Sequence, residues 1–410
     1  MSSAARKTFI ASFLGWSLDA FDFFLLTFVV SRIATSFGQA IPQVALAITL
    51  TLACRPIGAL LFGWLADRYG RRTPLMIDIA LYSLLELLTA FSPNFTVFLV
   101  LRALFGIAMG GEWGLGAAMV MEVLPPQRRG FFSGLLQQGY MWGYLLAALA
   151  YFLVFNFTNW DWRGLFVIGA LPAGLILYIR SSVPESPVWL EGRARRVSLR
   201  KDFTLQSLRA YWPLFIYCVA FMAALNAMSH GTQDLYATFL QKQHGFSTGQ
   251  TSTLAIVAAV GAIIGGMTFG GLSQRFGRRP VVMFCAVLAA CMVPLWAFSP
   301  TIALLAAGAF GMQFAVQGAW GVIPAHLNEL SPPEVRATFT GFTYQLGNLV
   351  AAGTAQLEAS LAQHSSYGEA MSFVVILVLA AVFALSALGH LIRPENRFAP
   401  LAVPVSAVSS

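Results

Sequence analysis

The sequence predicts an all-α integral membrane protein, twelve transmembrane helices arranged as two parallel six-helix repeats. Three observations point to this. Of 410 residues, 58% are hydrophobic and 10% charged, whereas a soluble domain has about a quarter of its residues charged. The apolar residues fall in blocks of roughly twenty, the length that crosses a bilayer as a helix. Finally, the chain matches itself at one constant offset of 207 residues.

The blocks predict spans near 9–30, 42–66, 74–91, 96–121, 130–155, 163–183, 211–239, 250–272, 280–298, 301–326, 337–361 and 369–391, with a kink or partial unwinding of the seventh around Gly231. The first block carries Asp19 and Asp22 and lacks a small-residue cleavage site, so it reads as a span and not as a removable leader. The net charge of +8 reflects topology. With the N-terminus inside, Arg6, Lys7, Arg68, Arg71, Arg72, Arg128, Arg129 and Arg180 fall on the cytoplasmic side. The run from Arg193 to Lys201, Arg209, Arg275, Arg278, Arg279, Arg336, Arg393 and Arg397 fall there too. Arg32, Arg163 and Lys242 fall outside. Basic residues gathered in the short loops of one side are the positive-inside pattern. A nucleic-acid partner is therefore not expected. All four cysteines lie inside spans, which argues against disulfides and a metal cage.

The offset pairs several separate motifs. Gly63-Trp-Leu-Ala-Asp67-Arg68-Tyr-Gly70-Arg71-Arg72 falls on Gly270-Gly-Leu-Ser-Gln274-Arg275-Phe-Gly277-Arg278-Arg279. Gly111, Trp113 and Gly114 fall on Gly318, Trp320 and Gly321, and Glu122 and Arg129 on Glu329 and Arg336. Both copies contain an even number of spans and so share one orientation. The domains are expected at 1–183 and 210–410, joined by a basic cytoplasmic linker at 184–209 near anionic headgroups.

The segment from Gly63 to Arg72 resembles the signature loop of the major facilitator superfamily. That resemblance implies a fold with its substrate site between the halves near the midplane, and a cytoplasmic latch. Asp67 can pair with Arg71 or accept from the N-terminus of a neighbouring helix; Gln274, its counterpart, is expected to make the second latch weaker or purely neutral. Arg68, Arg275 and Arg278 belong to the same loops. Glu122 with Arg129, and Glu329 with Arg336, resemble the companion charge pairs at the ends of helices four and ten, and Pro184-Glu185-Ser186-Pro187 resembles a further family element. Arg102 opens a segment that resembles the family's helix-four motif, and either tunes proton coupling or holds a backbone carbonyl.

Ionisable groups inside a membrane cost about 3 kcal/mol each on insertion scales and are functional candidates. Besides Arg102 these are Asp19, Asp22, Arg55, Asp78, Glu86, Glu112, His230 and Asp234. Asp78, near the cytoplasmic end of helix three, is expected to snorkel or join the latch. Ser12, Gly15, Asp19 and Asp22 share one face of helix one. Arg55 presents a planar fork suited to a carboxylate, with a bridge to Asp19 or Asp22 as the ligand-free alternative. On helix seven Asn226, Ser229, His230, Gln233, Asp234 and Thr238 form one polar stripe, which needs water or a ligand to satisfy it.

The string from Asn226 to Thr238 resembles, position by position, the Asn-x-x-Ser/Thr-His-x-Ser/Thr-Gln-Asp-x-x-x-Thr motif of Jen-type monocarboxylate:proton symporters, within the sialate:proton symporter family. Gly15-Trp-Ser-Leu-Asp19-Ala-Phe-Asp22 is similar to that family as well. The resemblance implies a small carboxylate such as lactate or pyruvate moved with a proton, with Asn226, His230, Gln233 and Asp234 near the path. Asp19, Asp22 and Asp234 are the expected proton carriers. Gln137, Tyr140 and Tyr144 on helix five, Gln313, Gln317 and Trp320 on helix ten, and Tyr344, Gln345 and Asn348 on helix eleven are further candidates for the cavity wall. Sialate, an aromatic acid, a dicarboxylate and passive facilitation stay open as alternatives. No nucleophile–base set, metal cluster or nucleotide loop is apparent, so neither an enzyme nor a cofactor is expected. The expected setting is a bacterial inner membrane, both termini cytoplasmic, with the chain acting as a monomer.

Overall fold

The computed structural model describes residues 3–39, 41–171, 173–186, 189–190, 211–332 and 336–391. The helices are α1 (Ser3–Phe37), α2 (Ile41–Tyr69), α3 (Arg72–Ala90), α4 (Phe95–Met109 and Glu112–Val123), α5 (Arg129–Gln137 and Gly139–Phe157) and α6 (Trp162–Ile168 and Ala173–Ser182). After residues 191–210, which lie outside the described residues and include the basic run from Arg193 to Lys201 and Arg209, come α7 (Trp212–Gln233, then Tyr236–Gln243) and α8 (Thr248–Phe276). They are followed by α9 (Arg278–Ala297), α10 (Ile302–Leu330), α11 (Arg336–Ala351 and Thr354–Leu361) and α12 (Tyr367–Leu388). Among the described residues 11 stretches are long and apolar enough to cross a membrane; α11 is divided after Ala351.

Local chemistry sets several ends. Asn94 caps α4 by accepting from the Val97 amide at 2.9 Å, and Ser247 with Gln250 and Ser366 with Glu369 form capping boxes on α8 and α12. Gly70 and Gly277, equivalent under the offset, turn the chain after α2 and α8 with φ of 106° and 91°, a region that side chains avoid. Leucines such as Leu61, Leu84 and Leu149 stay exposed around the perimeter, as a surface in contact with lipid tails requires.

Small residues bring helices close. A Cβ on Gly58 would lie 2.7 Å from the carbonyl carbon of Ile107, and one on Gly106 2.8 Å from Thr51 Cα, so α2 and α4 pack backbone to backbone. The two bundles meet mainly through α2 against α11 and α5 against α8. Gly63 abuts Thr338, and Gly134 abuts Gly266 and Gly270, at these crossings.

At the basic end, Asp67 pairs with Arg71 at 3.1 Å and accepts from the Thr338 amide at 3.1 Å and its hydroxyl at 2.6 Å, in the first turn of α11. Both expected partners of Asp67 are thus present. Gln274, the neutral counterpart, accepts from the Gly130 amide at 3.0 Å in the first turn of α5. Arg68 and Arg275 are exposed and lie against Trp64 and Phe276, outside the latch.

The companion pairing differs from expectation. Glu122 pairs with Arg71 at 3.2 Å, lies 4.0 Å from Arg336 of the other bundle, and accepts from Ser186. Arg129 donates to the Leu124 carbonyl at 3.2 Å. Glu329 pairs with Arg278 at 2.8 Å. Each glutamate closes on the arginine of its own signature loop, because helix ends adjacent in space lie closer than charges seven residues apart around a turn. Burial works against the charge of Arg71, but Glu122 and Asp67 outweigh it and hold the guanidinium above its ordinary pKa. Glu185 accepts from the amides of Arg71 and Arg72 at 2.8 and 3.2 Å; Pro187 lies outside the described residues.

Candidate functional site

Between the bundles, halfway along the helices, is a cavity with walls from both halves. Trp16 and Phe23 of α1, Leu52 and Arg55 of α2, and Gln137 and Tyr140 of α5 form one wall. Asn226, Ser229 and His230 of α7, Gln317 and Trp320 of α10, and Tyr344 and Asn348 of α11 form the other. Arg55 and three members of the helix-seven stripe therefore face one shared space.

Arg55 is 3.9 Å from Asp19, 3.3 Å from the Met109 sulfur, and beside the Phe23 ring. The pairing with Asp19 matches the ligand-free bridge that the sequence allowed. On the opposite wall His230 holds Asp234 through Nδ1 and Asn348 Oδ1 through Nε2, each at 3.1 Å. Asn226 donates to the Met222 carbonyl at 2.9 Å. The cavity is thus ringed by amides and aromatic faces, with a guanidinium on one side and an imidazole on the other. Such a ring suits a small solute with an anionic group and further polar atoms. Towards the basic end, the rings of Trp113 and Tyr344 stack across the bundles at 4.3 Å, Trp320 meets Tyr344 edge-on, and Trp113 donates to Gln137 at 3.2 Å.

Other candidates lie elsewhere. Gln233 turns to Gln313 at 2.9 Å, so it supports the wall and is absent from the lining. α7 is helical through Gly231 and breaks at Asp234–Leu235, later than expected. Asp234, at the break, is 41% exposed and so is not a buried carboxyl in this state. The Thr238 side chain lies outside the described residues. Gln345 is buried and absent from the lining.

The polar face of α1 points into the N-terminal bundle, where a second charged region is sealed. Asp19, Asp22, Asp78, Glu86 and Glu112 are buried there with Arg55 and Arg102. Arg102 pairs with Glu86 at 2.6 Å, both fully buried, and Asp22 lies in the field of the same two groups. The expected carbonyl partner of Arg102 gives way to this carboxylate. Asp78 neither snorkels nor joins the latch; its helix turns it inward, into the field of Glu112, Asp19 and Arg55. Glu86 and Glu112 carry no motif around them in the sequence, and only the packing of α3 on α4 reveals their partners.

The comparisons with known proteins agree with this architecture. Residues 7–208 match the model of the sugar (and other) transporter family and residues 219–406 that of the major facilitator superfamily. The two matches, which between them run from residue 7 to residue 406, support a place for the chain among the transporters of the major facilitator superfamily. It is 29% identical to a carboxylic acid transporter protein homolog of Saccharomyces cerevisiae, over 93% of this chain and 67% of that one. It is also 29% identical to a probable 4-methylmuconolactone transporter of Cupriavidus pinatubonensis, over 100% of this chain and 98% of the relative. A structure of the proton:xylose symporter XylE superposes with a TM-score of 0.76 at 20% identity, covering 96% of each chain, and shows the fold. These relatives are transporters, and the chain is a transport protein and not an enzyme.

Proposed function

We propose that the chain is a proton-coupled symporter of small carboxylates such as lactate or pyruvate, working by alternating access. The observation that carries this is the shared cavity, with Arg55 on one wall and His230 on the other, reached through Asn348. The carboxylate displaces Asp19 from Arg55 and takes the guanidinium, while amides of the far wall, Asn226, Gln317 and Asn348, hold its remaining polar atoms. The resemblance of the helix-seven string to monocarboxylate symporters and the named carboxylic acid transporter relative support the same substrate class.

An anion entering a negative interior works against the membrane potential, at about 2.3 kcal/mol per charge per 100 mV. A proton moved with it removes that penalty. Asp19, freed from Arg55 when substrate binds, is one carrier, and Asp234, bonded to His230 and open to water, is another; Asp22 lies behind them beside Glu86 and Arg102. The basic end faces the cytoplasm, with Asp67 and Gln274 closing it, and the unit is a monomer of two bundles, 1–183 and 210–410, in a bacterial inner membrane. The five aromatic rings in the lining also favour a second reading, an aromatic or cyclic acid as substrate.

Proteoliposomes with an imposed pH gradient test the proposal. Labelled lactate is expected to accumulate when the outside is acidic, and unlabelled pyruvate to compete more strongly than sialate, benzoate or succinate. Uptake that ignores the gradient refutes proton symport; stronger competition by benzoate moves the assignment to the second reading.

A further inference from the structure

Glu358, on the second segment of α11, attracts no attention in the sequence but is fully buried, and neither carboxylate oxygen has a hydrogen-bond partner among the described residues. It caps no helix and pairs with no cation there. The offset of 207 residues places Tyr151 at the equivalent position of the first half, so the repeat does not demand a charge. A buried carboxylate with nothing to satisfy it is costly, and a residue kept at that cost within a membrane bundle points to function.

Its location suggests which function. Glu358 packs against the backbone of α7 at Gly231, where an added Cβ would lie 2.9 Å from Glu358 Oε1. The next residue back is His230 and the break at Asp234 lies three residues on; α11 has its own break after Ala351. Two interrupted helices therefore meet at Glu358, at the end of the bundle away from the signature loops. From water, exposed Asp234 leads to His230 and His230 to Asn348 and the cavity. Glu358 sits directly behind this chain and within the field of Asp234. Of the ionisable groups at this end of the bundle, His364, Glu369 and Lys242 are exposed, Glu369 being engaged in the cap of α12, His244 and Tyr367 are half-buried, and Tyr236 is buried against Trp296.

We propose that Glu358 is a proton-binding site of the C-terminal bundle, loaded from external water through Asp234 while the far end is open and closed off when the outer segments of α7 and α11 move together. The assignment rests on the symport reading above and adds a station that the helix-seven motif does not contain. When the site reorients, the proton leaves to the cytoplasm and the carboxylate returns empty.

Two measurements on the full-length protein test it. In proteoliposomes, Glu358→Gln is expected to lose accumulation of labelled lactate under a proton gradient, flatten the pH dependence of uptake, and keep lactate exchange, with Glu358→Asp restoring accumulation. Unchanged accumulation in Glu358→Gln overturns the proposal. So does parallel loss of accumulation and exchange in both variants, which marks a packing residue, or wild-type uptake driven by a sodium gradient at fixed pH. The second measurement needs no substrate. Infrared difference spectra after a pH jump are expected to show a protonated-carboxyl band that Glu358→Gln removes; spectra unaltered by the substitution overturn the site even if lactate proves the wrong solute. Failure of the wild type to take up lactate while that band is present instead counts against the substrate reading alone.

Discussion

The two latches at the basic end occupy equivalent places and differ in charge and in the number of bonds across the bundles, so the electrostatic part can be tested by comparing them. Asp67 accepts two bonds from Thr338 of the opposite bundle, at 3.1 and 2.6 Å, in the first turn of α11. Gln274 accepts one from Gly130, at 3.0 Å, in the first turn of α5. A buried hydrogen bond to a charged group contributes about 1.5–3 kcal/mol and a neutral one about 0.5–1.5. Asp67→Asn keeps the shape and loses that difference at two bonds, about 2 kcal/mol, which shifts the ratio of closed to open basic ends by about 30-fold. Gln274→Ala loses the neutral bond to Gly130 across the bundles, about 1 kcal/mol, or about fivefold; its bond from Arg278 at 3.1 Å lies within the C-terminal bundle and does not enter that ratio. Spin labels at exposed Tyr69 and Phe276, one on each bundle, report the two populations by pulsed dipolar spectroscopy once Cys54, Cys218, Cys285 and Cys291 have been replaced. If Asp67→Asn opens the basic end no further than Gln274→Ala, the carboxylate charge is not what holds the bundles together and the argument fails.

Arg55→Lys keeps a positive charge but loses the planar fork, and is expected to weaken lactate binding by about tenfold; unchanged affinity in equilibrium binding would remove Arg55 from the site. Asp234→Asn is expected to impair gradient-driven uptake far more than exchange, because it removes a carboxylate bonded to His230 without removing an Arg55 contact, whereas equal loss of both would assign it to binding or folding. Gly58→Ala places a methyl 2.7 Å from the Ile107 carbonyl carbon and 3.2 Å from Gly110 Cα. The resulting separation of α2 from α4 is expected to destabilise the detergent-solubilised protein by about 1–3 kcal/mol, visible as a lowered Tm; a Tm equal to wild type would contradict the backbone-to-backbone packing.

The scaffold was legible from the chain because bilayer thickness and backbone satisfaction leave one spanning element, the helix, with a length that can be counted in apolar residues. The constant offset then marked the repeat, and polar residues at helical spacing marked the stripe from Asn226 to His230. The break of α7 falls at Asp234 and not at Gly231, which stays helical where it lies against Glu358.

Sequence alone also identified the chemistry of both latches, because Asp67 and Gln274 occupy equivalent places in recurring loops. It could not say which charges would meet. Glu86 with Arg102, Glu122 with Arg71 and Arg336, Asp78 beside Glu112, and Glu358 behind Gly231 lie 16 or more positions apart, on helices whose rotation about their axes is set by packing. Periodicity tells which residues share a face of one helix; only the docking of neighbouring helices decides whether that face meets lipid, a partner charge or the central cavity.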